Sequence, residues 1–328
     1  MTTNDIKIAI IGLGHIGKVH IAALQKTPGY ELVAACDRQK NLAAIVPDPA
    51  VFYGSHQEML TCGGFDTVIV ATPNHTHNVF SIDALQAGYN VIVEKPAAGS
   101  MEELDNLEKA AHKARRHVDY AFHAACAREV LWLEEHLAQD GDKYGPLTAF
   151  FSRFYDPYID ENDMLGPQAK SLGDCWSDSG INALSVLHRF LPVDRLRVDS
   201  RRKSGKKGSQ PGVRSASVRY SFSVSGKDQT GLGVIETAWD QGVNFKCTEL
   251  YFAANGYRLK VDHSEQSVTE HAPDGVIKNL VRFEGERLLN HYLGVFADYR
   301  KRYVEGNINS DMGRIIHEKL FEGEQGKK

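Results

Sequence analysis

Between residues 6 and 122 the chain keeps one rhythm, a short apolar run followed by a stretch of helical periodicity, and few folds accept it. The runs are IKIAII, ELVAAC, TVIVAT and NVIVEK, closing on VDYAF. Helical stretches begin at His15, after ELVAAC, near Thr76 and at Met101. Strands this apolar are buried on both faces, and their alternation with helices makes βαβ units around a parallel sheet. Ser100 and Glu103, ahead of Leu104 and Leu107, have the spacing of a capping box. The expectation is a doubly wound α/β domain over 1–122.

After about residue 122 the pattern changes. An amphipathic helix is expected over Arg128–Leu137, then a strand near Leu147–Phe154, an irregular loop, and a helix from Asp178 to Leu191. Ser215–Val224 and Gly233–Ala238 read as strands, and Asn255-Gly256 between apolar runs signals a hairpin. Leu289, Tyr292, Leu293, Phe296 and Tyr299 share helical spacing, so a last helix from roughly 286 to 303 should dock through them. A length of 328 residues suits two domains. The second, over 123–328, is expected to be α+β with an open, mostly antiparallel sheet.

Composition narrows the partners. A formal net charge of −4 offers no footprint for nucleic acid or an anionic membrane. The basic block Arg201, Arg202, Lys203, Lys206 and Lys207 has no interleaved aromatics and reads as a solvated hairpin loop. Five widely spaced cysteines without a C-x-x-C favour a reducing compartment over a disulfide framework. The start of the chain lacks a basic stretch followed by an apolar one, and no apolar run approaches the ~18 residues of a membrane span. A cytoplasmic protein is expected.

The sharpest motif is Gly12-Leu13-Gly14-His15-Ile16-Gly17, which follows a strand and opens a helix, with Asp37 at the end of the next strand. In that context it is a dinucleotide fingerprint. Gly12 makes the tight turn, Gly14 lets the backbone approach a pyrophosphate, and Gly17 allows close helix packing. The helix N-terminus then holds the anionic charge. Asp37 is suited to the ribose hydroxyls and to repelling a 2′-phosphate, which favours NAD. The neighbouring guanidinium of Arg38 can stack on adenine or pair with a 2′-phosphate, so NADP stays open.

Two further segments, Ala71-Thr72-Pro73-Asn74-His75-Thr76-His77 after one strand and Glu94-Lys95-Pro96 after the next, carry a family resemblance. With the fingerprint, they make the chain similar to the glucose-fructose oxidoreductase, inositol dehydrogenase and rhizopine-catabolism family. The resemblance implies a Rossmann domain followed by an α/β domain whose open sheet forms an oligomer interface, hence a homodimer or homotetramer. It also implies that Thr72, Pro73, Asn74, His77 and Glu94 serve the cofactor site. Lys95, before a proline often joined by a cis bond, corresponds to the family's lysine that reaches the reacting hydroxyl. Read from the residues alone, a lysine beside a nicotinamide cation loses its proton more easily, and Pro96 holds it rigidly. His75 and His77 lack a third ligand at suitable spacing, so no metal is expected.

The family's second catalytic element is an Asp-x-x-x-His helix start. Here the chain reads Asp178-Ser179-Gly180-Ile181-Asn182, with Asn182 in the histidine's place. Positions 178, 182, 185 and 189 share a polar stripe on a helix, while Ile181, Leu184, Leu187 and Leu191 face the core. Asp178 could instead merely cap the helix. An amide does not titrate, so Asn182 can orient a hydroxyl but cannot take its proton. An anomeric hydroxyl is more acidic than an ordinary secondary alcohol and needs less help. The segment, with Phe122-His123 and Thr237-Ala238-Trp239, resembles the L-arabinose and D-galactose 1-dehydrogenase branch.

The expected activity is therefore NAD(P)-dependent oxidation of an aldopyranose at C1 to a lactone. Hydride leaves C1 for the nicotinamide, Asp178 with or without Lys95 removes the proton, and Asn182 fixes the geometry. His123 is a candidate substrate contact or a buried structural histidine, and Trp239 a core residue or a sugar-stacking one. Two alternatives stand beside this: oxidation of a ring secondary alcohol such as an inositol or amino sugar, with His123 as base, and a non-catalytic NAD-binding regulator.

Overall fold

The computed structural model describes residues 5–205, 212–253, 255–306, 308 and 311–322, and Gln168 without its side chain. The chain packs as two units, Met1–His123 with Leu288–Arg314, and Ala124–Arg287 with Ile315–Lys328.

In the first unit β1 (Ile6–Ile11), β2 (Tyr30–Cys36), β3 (Val51–Tyr53), β4 (Thr67–Val70), β5 (Asn90–Glu94) and β6 (Val118–Ala121) form one sheet, in the order β3-β2-β1-β4-β5-β6. Every pairing in it is parallel. Ile8, Ile10, Val68, Ile69, Val91 and Ile92 are wholly buried, as expected for strands covered on both faces. The connecting helices are α1 (His15–Lys26), α2 (His56–Cys62), α3 (His77–Gln86) and α4 (Met101–Ala114). Strand order turns back between β1 and β4, and in open sheets of this kind the crevice beyond that point, at the strands' carboxyl ends, takes the ligand. The capping box at α4 forms with a one-residue change. The Ser100 hydroxyl accepts from Glu103 N, while the Glu103 carboxylate accepts from Gly99 N rather than from the cap residue itself.

In the second unit α5 (Arg128–Tyr144) runs seven residues beyond the expected Leu137. The sheet contains β7 (Ala149–Tyr155), β8 (Arg197–Ser204), β9 (Ser215–Ser223), β10 (Thr230–Ala238), β11 (Phe245–Phe252), β12 (Tyr257–Asp262), β13 (Ser267–His271) and β14 (Ile277–Arg282). Their order is β14-β13-β12-β11-β7-β10-β9-β8. Among the described strands of this sheet only β7 and β10 pair in parallel, so it is mostly antiparallel as expected. Asn255-Gly256 turns β11 into β12, with Gly256 at φ 73°. The helix expected from Asp178 is instead a π-turn, Trp176–Gly180, followed by α6 (Ile181–Phe190). Residues 181–187 of α6 are all buried, so the expected polar stripe at Asn182 and Ser185 is enclosed by protein.

The basic block is corrected by the structure. Arg201, Arg202 and Lys203 lie in β8, an outer strand of the sheet, and Lys206 and Lys207 fall outside the described residues. Charged side chains on an outer strand discourage edge-to-edge pairing, which explains a strand built from residues that read as loop.

The last stretch is α7 (Arg287–Val304) and α8 (Met312–Phe321). From Leu288 α7 belongs to the first unit, where Tyr292, Val295, Phe296 and Tyr299 are buried, while Leu289 and Leu293 are half-buried. Polar contacts help to seat it, among them Tyr292 Oη on Glu94, Tyr30 Oη on the Phe296 carbonyl, Tyr299 Oη on Thr67 Oγ1 and the Arg302 guanidinium on Asp119.

Candidate active site

The three glycines of the loop meet different surroundings. Gly12 has φ 97°, and a Cβ there would stand 2.5 Å from the Ala71 carbonyl oxygen. A Cβ on Gly17 would lie 2.1 Å from the Gly12 carbonyl oxygen, so α1 meets its own loop at a distance only glycine permits. Gly14 is exposed, and a Cβ there would have no atom within 4 Å. The open space lies where a ligand would approach the backbone. α1 has no acidic residue in its first turn and no side-chain cap at Gly14, which leaves its first N–H groups to an anion.

Asp37 closes this corner. Its Oδ2 accepts from Leu13 N at 2.9 Å and its Oδ1 from Gln39 N at 2.8 Å, so the carboxylate that ends β2 also ties down the loop. His15 and Arg38 are exposed beside it and Ile16 is half-buried. A cradle with no room for side chains at two glycines, open space at the third and a carboxylate at the second strand's end fits a dinucleotide.

The next strand ends supply the second corner. Thr72 and Asn74 are half-buried and Pro73 exposed, on the turn after β4. His77 is only 1% exposed, with Nδ1 2.8 Å from the Pro96 carbonyl and Nε2 2.7 Å from the Thr72 carbonyl. It lies between the turns after β4 and β5, and since burial pushes its imidazole pKa down, the single N–H of the neutral ring serves one of the two carbonyls at a time. Lys95 is half-buried and joined to Pro96 by a cis peptide bond, as the resemblance implies.

Glu94 lies beneath Lys95 with a setting of its own. His20 Nε2 approaches its Oε1 at 2.8 Å and Tyr292 Oη donates to the same oxygen at 2.6 Å. Since a carboxylate only accepts, the His20 proton is on Nε2. Burial pushes the Glu94 carboxyl up, but the His20 and Tyr292 hydrogen bonds and the charge of Lys95 outweigh it, and the group titrates below its ordinary value. A depressed folded-state pKa contributes stability above the unfolded value, which is lost as pH falls through the folded one. Glu94→Gln is expected to lower the melting temperature at neutral pH and to flatten its decline below about pH 4.3, the ordinary glutamate value. A melting series from pH 7 to 3 reads both.

His123 is buried at the end of the first unit's sheet, its Nδ1 3.1 Å from Nδ1 of His291 and its ring stacked on Tyr292. His291 was not legible as a site neighbour, because 168 residues separate the two in sequence.

In the second unit Asp178 and Asn182 lie one turn apart and are 5% and 7% exposed. Asp178 is not the helix cap. Asp174 fills that place, its Oδ1 accepting from Trp176 N at 3.0 Å and Ser177 N at 2.9 Å. The wide π-turn that follows, a geometry common at functional sites, packs around Trp176. The indole donates to the Leu320 carbonyl, and a Cβ on Gly180 would come within 2.8 Å of its ring. Asn182 Nδ2 donates to the Asp178 carbonyl at 3.2 Å, while its Oδ1 is buried without a hydrogen-bond partner among the described residues. Trp239 is wholly buried, edge-on to Tyr158, so it is a core residue and not a stacking platform. No group of three or more candidate metal ligands occurs among the described residues. No helix among them is long and apolar enough to cross a membrane.

Comparison with known proteins adds to this geometry. Residues 6–122 match the family model described as oxidoreductase family, NAD-binding Rossmann fold. D-glucoside 3-dehydrogenase of Escherichia coli strain K12 is 32% identical over 141 residues, 42% of this chain and 40% of that protein. Inositol 2-dehydrogenase 1 of Saccharopolyspora erythraea is 31% identical over 116 residues, 34% of either chain. The chain thus spans less than half the length of these curated relatives. Levoglucosan dehydrogenase in complex with NADH superposes with a TM-score of 0.81 at 16% identity, covering 97% of this chain and 95% of that one. GenD2 from gentamicin A biosynthesis, in complex with NAD, gives 0.79 at 19% identity, covering 99% and 95%. At such identities these structures share the fold.

Proposed function

We propose, for a chain whose residues 6–122 belong to the oxidoreductase family with the NAD-binding Rossmann fold, that it is an NAD-dependent sugar dehydrogenase. More finely, it oxidises an aldopyranose of galactose or arabinose type at the anomeric carbon to the lactone. The observation that carries the finer reading is Asn182, a buried amide whose Oδ1 awaits a donor beside Asp178. A site that keeps the carboxylate but replaces a titrating imidazole with an amide suits a hydroxyl that is already acidic.

NAD is held by Gly12, Gly14 and Gly17, by the N-terminus of α1 and by Asp37, whose carboxylate disfavours a 2′-phosphate. When bound, the nicotinamide supplies the hydride acceptor. The protein's own residues do the rest. Asp178 takes the proton of the reacting hydroxyl, Asn182 Oδ1 accepts from a sugar hydroxyl and orients the ring, and Lys95, held by Pro96, hydrogen-bonds the reacting oxygen as its proton departs.

A second reading, oxidation of a ring secondary alcohol, draws on two relatives whose names place their chemistry at position 3 of a glucoside and position 2 of inositol. The buried His123–His291 pair would supply its titrating group.

Absorbance of reduced nicotinamide, followed with D-galactose, L-arabinose, D-fucose, D-glucose and myo-inositol, tests both. Turnover of an aldose with lactone as product is expected, and Asn182→His is expected to gain activity on no polyol. Turnover of inositol alone would move the reacting carbon into the ring. Silence across the panel with NAD binding intact would return the chain to a regulator.

A further inference from the structure

Next to the Asp178 turn the second unit buries a complete ion pair that the fingerprint and the proposed mechanism leave unused. Lys246, on β11, is 6% exposed, and Asp156, just past β7, is 7% exposed. Lys246 Nζ lies 2.5 Å from Asp156 Oδ1 and 2.7 Å from Asn244 Oδ1. The other carboxylate oxygen accepts the Ser179 hydroxyl at 3.0 Å, and Ser179 Oγ accepts the Trp239 indole N–H at 3.3 Å. Ser179 is wholly buried and is the residue after Asp178. Asp156 N also donates to the Ala238 carbonyl. The ends of β7 and β10 and the start of β11 are thus stitched to the π-turn through one residue, by its backbone N–H and its carboxylate.

A buried ion pair is weak evidence for stability, because desolvating two charges offsets most of their attraction. Its location needs another reason. Burial pushes the Lys246 ammonium pKa down, the Asp156 charge and hydrogen bond oppose that, and Asp178 adds to the opposition. Attraction is mutual, so Lys246 favours the ionised form of Asp178 while Asp156 disfavours it. Tyr158 and Arg287 belong to the same neighbourhood: Asp178 and Asp156 both act on the Tyr158 phenol, which burial keeps protonated, and Arg287 acts on Tyr158 and Lys246.

We propose that the Lys246–Asp156 pair is a positioning device for Asp178, holding its turn through Ser179 and balancing the charge around its carboxylate. The catalytic consequence rests on Asp178 being the base; the balance itself does not.

Carbon-13 NMR of protein labelled at the aspartate carboxyls reads the balance directly, with the Asp178 signal identified as the one lost in Asp178→Asn. Lys246→Met is expected to move the Asp178 titration up by about half a pH unit or more, and Asp156→Asn to move it down by about as much, because the first removes a cation and the second an anion. The double variant Lys246→Met/Asp156→Asn, which buries no unpaired charge, is expected to titrate close to the wild type even if either single variant fails to fold. A merely structural pair would give shifts of one sign or none. Shifts of the same sign, no shift, or a double variant that stays displaced would overturn the proposal. The NMR result needs no turnover, so near-normal turnover of D-galactose by Asp178→Ala would remove the catalytic reading while the titration shifts still decide whether the pair balances Asp178.

Discussion

Gly17→Ala is expected to weaken NAD binding by about two orders of magnitude, roughly 2.8 kcal/mol at 1.4 kcal/mol per decade, and to destabilise the fold by about 1–3 kcal/mol, as overpacking does. The reason is one distance. The added methyl would start 2.1 Å from the Gly12 carbonyl oxygen, which sits on a turn whose own Cβ position is filled by the Ala71 carbonyl. Neither neighbour is the free end of a flexible side chain, so relief must come from the helix backing away from the loop. That motion withdraws the N–H groups that face the pyrophosphate. Gly14→Ala makes the contrast, since its methyl would meet nothing within 4 Å. It should melt like the wild type and still bind NAD weakly, because the methyl occupies space the dinucleotide needs. Calorimetric titration with NAD beside a melting curve separates the two. A Gly17→Ala protein that binds normally would mean that the loop and helix need not stay in contact.

This corner of the fold was legible because its constraints are local. Strands buried on both faces must be apolar, a tight turn must be glycine, and the acid must end the next strand, so residues 6–37 state the site almost alone. Legibility fell where distant residues decide. β3 has three residues, none buried, at the outer edge of its sheet, and carries no alternation to detect. β8 looked like a loop because an outer strand tolerates charge. The π-turn depends on Asp174 capping two N–H groups and on an indole occupying the place of a Cβ at Gly180, and neither has a motif. Lys246 did leave one signal. It shares strand parity with Thr248, Leu250 and Phe252, which face inward, and a lysine at an inward position asks for a partner. Asp156, 90 residues away, could not be named from sequence.

Asp178→Ala and Lys95→Ala are each expected to cut turnover by about two orders of magnitude or more while leaving NAD affinity nearly unchanged. For Asp178 the argument starts from what it does not do. Asp174 caps the turn, so the carboxylate of Asp178 is not committed to the helix start, yet it is enclosed at 5% exposure beside an amide that cannot titrate. Of the two, only Asp178 can hold a proton, and removing it leaves Asn182 to orient a hydroxyl that nothing deprotonates. Asp178→Asn, which keeps the shape, should lose as much as Asp178→Ala, whereas a capping role would predict that Asn substitutes well. For Lys95 the support is its footing: Glu94 is fixed by His20 and Tyr292, and the Pro96 carbonyl lies 2.8 Å from Nδ1 of the buried His77. Anchored neighbours on both sides fix the backbone from which Lys95 projects, and a fixed point of attachment is what a hydrogen bond to a reacting oxygen starts from. Steady-state kinetics on D-galactose or L-arabinose, with NAD affinity measured separately, decide the matter. Near-normal turnover in either variant would remove that residue from the mechanism.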